Sequence, residues 1–175
     1  MLRAGRRSIE QSANAEAIGH LTRALELLQA LPETPERKRA TFLVEVMLGQ
    51  AMIAAYGYAA PKTRQTLLRA RTLIDDTTNL AQKFAVLYGG WASHYVAGET
   101  VKQQSLALDF LAEAERTSSA PLQCIAHRIV GTTDLTMGEF AIALNHLKRA
   151  RALYDSEQHA SYRHQYGQDI GTSAL

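Results

Sequence analysis

Apolar positions recur along most of this chain at helical spacing, and the runs are separated by turn-forming residues. Ala17, Leu21, Ala24, Leu25 and Leu28 share one face of a helix. A short helix over Arg3 to Gln11 is expected before it, with Ser12-Ala13-Asn14 as the cap between the two. Leu31-Pro32-Glu33-Thr34-Pro35 stops that run, and Thr34 and Pro35 are a good N-cap and first residue for the next helix. This helix runs from Glu36 to about Tyr56. Its centre, Phe42 to Ala55, carries no charge apart from Glu45, the pattern of a helix enclosed by neighbours. Gly57-Tyr58-Ala59-Ala60-Pro61 ends it and starts a partner helix. That partner should turn Leu67, Leu68, Ala70 and Leu73 inward and leave Arg64, Arg69 and Arg71 in water. After the turn Asp75-Asp76-Thr77-Thr78-Asn79, the residues Phe84, Leu87, Tyr88, Trp91 and Tyr95 form a single stripe. Gly98-Glu99 reads as a left-handed cap, followed by a helix from about Val101 to Arg116. Pro121 opens the last pair, which runs to Met137, turns at Gly138 and returns from Phe140 to Tyr154.

The helical runs repeat. Gly5, Gly49, Gly90 and Gly131 follow one another at steps of 44, 41 and 41 residues, with a helical hairpin between each. A period of this size marks stacked helical repeats. The expected fold is all-α, a right-handed superhelical solenoid of about four antiparallel hairpins over residues 1–155. Residues 156–175 are polar until Ala174-Leu175 and read as a linker or the start of an incomplete further repeat. Such repeats bury each other's faces and offer an extended surface to a partner.

The last hairpin resembles the tetratricopeptide repeat. Small residues stand at Gly131, Gly138, Ala143 and Ala150, with Phe140 and Leu147 as the larger knobs between them. The third unit keeps Gly90-Trp91 and Gly98-Glu99, and the first keeps Ala17, Leu21 and Ala24. The second departs through extra residues around Gly57 to Ala60, and every unit is longer than the motif's roughly 34 residues. A broader resemblance rests on Arg7-Ser8, on the run from Ser12 to Ile18, on Leu31 to Arg37, on Gly57 to Pro61, on Gly138-Glu139-Phe140 and on Tyr166-Gly167-Gln168-Asp169. These runs are similar to the C-terminal repeat region of bacterial signalling proteins that join a class III adenylate or guanylate cyclase domain to a large ATPase. The resemblance implies a fragment or truncated relative that lacks the catalytic domains, so none of their catalytic residues carries over.

Composition narrows the function further. Hydrophobic residues make up 46% and charged residues 21%, ordinary for a folded globular chain. The net charge of +2 is too balanced to point to nucleic acid or an acidic membrane surface. Arg69-Ala70-Arg71 and Lys148-Arg149-Ala150-Arg151 read as solvated outer faces, as does the N-terminal cluster Arg3, Arg6 and Arg7. The single cysteine, Cys124, fits a reducing cytoplasm. The opening MLRAGRRSIE lacks the apolar segment of a secretory signal. The uncharged stretch Val46 to Pro61 is too short and glycine-broken to cross a bilayer.

The constellations of an enzyme are not found. No glycine precedes a lysine as in a phosphate-binding loop, and there is no Gly-x-Ser-x-Gly elbow. Asp75-Asp76 reads as a solvated turn. Cys124 and His127 lie three apart on one helix, yet a structural zinc needs four ligands. His159 and His164 are a weaker pair, His20 is expected on a half-exposed face, and His146 is expected to point outward. No cofactor and no metal are expected.

The expectation is therefore a non-catalytic scaffold that binds a protein or peptide, or itself as a dimer, without nucleic acid or membrane. If Gly90 and Gly131 hold the repeat motif's eighth position, the resemblance implies a groove lined by Gln50, Trp91, His94, Tyr95, Arg128 and Thr132. Trp91 also fits the apolar stripe, and His94 and Arg128 fit packing as well as a groove. The lysine and asparagine clamp of chaperone-binding relatives is not visible. The alternative is a sensor that holds a small molecule in the concave groove.

Overall fold

The computed structural model describes residues 2–155, with side chains from Ala13 onward. The expectations for residues 156–175, including His159 and His164, lie outside the described residues. Seven α-helices and no strands are present among the described residues: α1 Leu2–Gln29, α2 Pro35–Tyr56, α3 Pro61–Thr72, α4 Leu80–Val96, α5 Thr100–Glu115, α6 Ala120–Met137 and α7 Phe140–Leu153. The chain is all-α. No described helix is long and apolar enough to cross a membrane. The described residues fall into two compact units that divide inside α4, between Ser93 and His94.

One sequence expectation fails at the start. Ser12-Ala13-Asn14 does not cap a second helix, because α1 runs unbroken through it. Serine and asparagine are only mildly unfavourable inside a helix, and no proline stands there to stop the ladder. The anticipated first hairpin is one 28-residue helix.

In the first unit α2 starts as its sequence requires. Thr34 accepts the Arg37 amide at 3.1 Å, and Pro35 occupies the first turn. One side of α2 packs Leu48 and Met52 against Leu25 of α1, with Ile18 and Leu21 alongside. Another packs Phe42 and Val46 against Ala70 of α3 and Val86 of α4. Leu67 of α3 wedges between two helices. A Cβ added at Gly49 would stand 3.2 Å from its Cδ2, and one added at Gly89 would stand 3.0 Å from it. The close approach on α4 thus falls at Gly89, beside the Gly90 of the sequence period.

The inward face of α3 differs from the expected one. Thr63, Thr66, Leu67 and Ala70 are buried, Leu73 is half-buried, and Leu68 is 61% exposed. Two adjacent leucines sit about 100° apart on a helix, so only one can face the core. The small threonines occupy the seam. Arg69 is not a free solvated charge either. Its Nε and Nη2 donate to the Glu45 carboxylate at 2.5 and 3.1 Å, and Glu45 is 3% exposed.

In the second unit, α6 starts at Ser119, which accepts the Leu122 amide at 3.4 Å. Helices α5 and α6 share a buried hydrogen bond from Gln103 Nε2 to Thr133 Oγ1 at 3.2 Å. Helices α6 and α7 meet more tightly. A Cβ on Gly131 would stand 2.8 Å from Leu147 Cγ and 3.2 Å from the Ala143 carbonyl oxygen. Ala143 and Ala150 are fully buried on this seam, as the repeat pattern requires. Phe140 does not act as a buried knob: it is 68% exposed at the first turn of α7.

Two turns in this unit are near copies, forty residues apart. Gly98 and Gly138 have φ of 70° and 83°, which side chains with a Cβ rarely adopt. Glu99 N donates to His94 O at 3.0 Å, and Glu139 N donates to Asp134 O at 2.9 Å. Gly98 N and Gly138 N each close the shorter bond, to Tyr95 O and Leu135 O. This double closure satisfies the last carbonyls of α4 and α6.

Candidate functional site

Helix α2 is gripped on two sides and bare on a third. Leu43, Met47, Gln50 and Ala54 are spaced four, three and four residues apart, so they share one face. All four are exposed, and Leu43 and Met47 remain 44% and 55% accessible despite being large and apolar. An isolated exposed leucine is ordinary, but a row along one helix face is the kind of surface that meets a partner.

At the amino end this row runs into a cavity of about 180 Å³. Its apolar wall is Phe42, Leu43 and Leu73, and its rim carries Lys38, Arg39 and Gln82. The far side is the turn between α3 and α4, which Asp75 organises. Asp75 Oδ1 accepts the Thr77 amide at 3.0 Å, the Thr77 hydroxyl at 2.7 Å and the Thr78 hydroxyl at 3.2 Å. Its Oδ2 accepts Lys38 Nζ at 3.2 Å. The Thr77 and Lys38 hydrogen bonds hold the Asp75 carboxyl down at about 2, so it is a fixed anion at the cavity wall. Asn79 completes the wall, its side-chain oxygen accepting the Ala81 amide at 3.0 Å at the start of α4. Asp75-Asp76 is thus a structured turn in which one of the two acids is fully engaged. A wider hollow of about 340 Å³ lies at the elbow between α1 and α2, lined by Leu28, Leu31 and Pro32. Arg37 bridges that elbow by donating to the Leu31 carbonyl at 2.8 Å. Thr34, Glu36 and Arg37 also line this hollow, but the first cavity gathers more polar groups around its apolar wall, with Lys38, Asp75, Thr77, Thr78 and Asn79 together, which makes the first the better candidate.

The residues expected to line a groove fall in both units. Gln50 and Trp91 belong to the first, and His94, Tyr95, Arg128 and Thr132 to the second. Gln50 is exposed on the bare row of α2. Trp91 is 2% exposed and packs on Tyr88, ring centroids 5.6 Å apart, so it belongs to the core. Tyr95 lies one turn beyond Trp91 on α4 and is 41% exposed. Arg128 is 4% exposed on α6 and offers almost no surface to a partner. Thr132 is half-buried. His94 is half-buried, with Nδ1 2.9 Å from Glu99 Oε2, and Lys102 Nζ reaches the same oxygen at 3.2 Å. The chain matches no protein-family model, no curated protein and no solved structure. The chemistry of the surface therefore has to carry the reading.

Two features escaped the sequence. Leu43 and Met47 looked like core residues, because an uncharged run hides which side of a helix stays bare. The His127–His146 contact joins residues nineteen apart on neighbouring helices, with Nδ1 3.0 Å from Nδ1. His146 faces the seam, not the solvent expected for it. Cys124 also lies in that seam, its Sγ donating to the Ala150 carbonyl at 3.1 Å, and burial pushes its thiol up to about 11. Among the described residues no three side chains of His, Cys, Asp or Glu gather as metal ligands. Asp134 is buried, and its Oδ2 makes no hydrogen bond among the described residues. Burial and the nearby Glu139 push its carboxyl above the ordinary range, while His146 pulls the other way.

Proposed function

We propose that this chain is a non-catalytic helical-repeat module of the tetratricopeptide type that binds a short extended peptide of a protein partner along α2. The observation that carries the reading is the bare row Leu43, Met47, Gln50 and Ala54 ending in the cavity beside Phe42 and Leu73. The wedging of Leu67 against Gly49 and Gly89 supports the repeat assignment, because stacked helical repeats bring small residues of successive helices against one larger side chain. In this reading the row supplies apolar contact, Gln50 bonds the peptide backbone, and the cavity takes one side chain. Its setting is the regulatory segment of a cyclase and ATPase signalling system, for which the sequence resemblance is the support.

An array of short peptides tests the binding reading. A defined sequence preference is expected, and Leu43→Asp combined with Gln50→Glu should weaken the best binders at least about tenfold, since a charge placed on an apolar contact is left without a partner. Val101→Asp, on the 78% exposed position of α5, should leave them unchanged. No sequence preference, or equal binding by the α2 variant, overturns the proposal. The cavity itself favours a second reading, a small-molecule sensor. A metabolite that raises the melting temperature in the parent chain but not in Phe42→Ala would select it, because binding to the native state alone adds stability.

A further inference from the structure

On α6 and α7 the His127 and His146 rings face one another, with centroids 5.2 Å apart and planes tilted by 47°. His127 is 8% exposed and His146 is half-buried. A 3.0 Å contact between two Nδ1 atoms is a hydrogen bond only if one carries hydrogen and the other offers its lone pair. A first added proton goes to the outer Nε2 of the donor ring and makes the bond charge-assisted. A second must enter at the accepting Nδ1, whose lone pair is already in use. Two N–H groups would then point at each other, and two like charges would share a half-buried seam. The rings must part.

The neighbours set the direction. Burial is the largest influence on His127 and disfavours its charge, His146 and Arg149 on α7 add to that, and Glu115 at the end of α5 opposes it. Asp134, on α6 itself, has its carboxyl pushed up by burial and Glu139, while His146 pulls it down. The balance holds His127 below its ordinary value. A base depressed in the folded state binds more protons when unfolded, so its contribution is complete above the unfolded value of about 6.5 and is lost as pH falls through it. Asp134 acts in the opposite sense, because acid neutralises a carboxyl that burial already disfavours.

We propose that His127 and His146 form an acid-released clasp on the α6–α7 hairpin: loading two protons onto the pair separates α7 from α6 and uncovers the seam that holds Cys124. This inference is independent of peptide binding on α2. Elsewhere the seam is contact between uncharged groups, with Leu147 over Gly131 and the Cys124 thiol on the Ala150 carbonyl, and Glu115, which favours a charge on His127, is outweighed by burial, His146 and Arg149.

The only cysteine of the chain is the reporter. Its rate of reaction with 4,4′-dithiodipyridine, which attacks exposed thiols in mild acid, is measured in buffer and in urea at the same pH, and the ratio gives the shielding. Shielding in the full chain should fall at least about tenfold between about pH 7.5 and about pH 5, the range in which imidazole pairs load. In His127→Gln and His146→Gln, which bond without titrating, it should fall less than about twofold. Constant shielding in the parent chain, or a tenfold fall in both variants, overturns the clasp. If the variants do not fold, imidazole resonances of the parent chain decide. One ring of the pair should take its proton well below the imidazoles of the urea-unfolded chain, in step with loss of shielding; titration of both rings at the unfolded value overturns it.

Discussion

In the hairpin α2–α3, Gly49 faces Leu67, and the helices are fastened by Glu45 of one and Arg69 of the other. In the hairpin α6–α7, Gly131 faces Leu147, and the fastening is His127 against His146. The apolar device is the same: a glycine on the first helix admits a leucine from the second. The polar device differs, and so does the closeness. A Cβ at Gly49 would crowd the flexible end of Leu67 and touch the Thr66 methyl at an ordinary contact distance, whereas one at Gly131 would crowd Leu147 and a backbone oxygen. In both hairpins a small residue paired with a large one closes the seam, while the polar contact across it differs. One seam joins a carboxylate to a guanidinium. The other joins two imidazoles, the groups whose ordinary titration lies near neutrality.

The largest effect should come from breaking the fastening of α2–α3. Arg69→Ala leaves Glu45 buried without its bidentate partner and should cost about 2 kcal/mol in urea unfolding, less than a fully enclosed pair because Arg69 reaches water. Adding Glu45→Met should restore most of that loss. If Arg69→Ala alone is silent, the ion pair is not what joins these helices.

Next comes the steric half of the comparison. Gly131→Ala should lose about 1.5 kcal/mol, because overpacking against Leu147 and the Ala143 carbonyl exceeds the helix-propensity gain of alanine. Gly49→Ala should stay within about 0.5 kcal/mol of the parent, since the same gain meets only a movable leucine end. Equal effects at both sites, read by thermal unfolding, would erase the distinction between the two seams.

The smallest effects test the two matched turns. Gly98→Ala and Gly138→Ala should each cost about 1 kcal/mol, the penalty for a Cβ in the left-handed region. Values that differ severalfold in urea unfolding would show that the copies agree in backbone geometry alone.

The sequence made the local signals plain. Thr34 with Pro35, the stop at Gly57 and the cap at Gly138 act over a few residues, and each stands where its chemistry requires. Long-range choices were hidden. Helical periodicity admits either Leu67 or Leu68 as the inward residue, and only the approach of α2 and α4 selects Leu67. Trp91 and Arg128 fit a groove by offset, yet both are drawn into the packed interior. Glu45 with Arg69, and His127 with His146, become partners only when two helices lie side by side, which no local pattern announces. Of the six expected groove residues, Gln50 alone lies on the bare row of α2, and the row itself was masked by the uncharged run around it.

The row has a length, and length limits selectivity. At about 1.5 Å of rise per residue, Leu43 to Ala54 extends about 16 Å. An outstretched chain crosses that distance in about five residues. A guest here would be read by a word of five letters, with one of them anchored in the hollow at the Leu43 end.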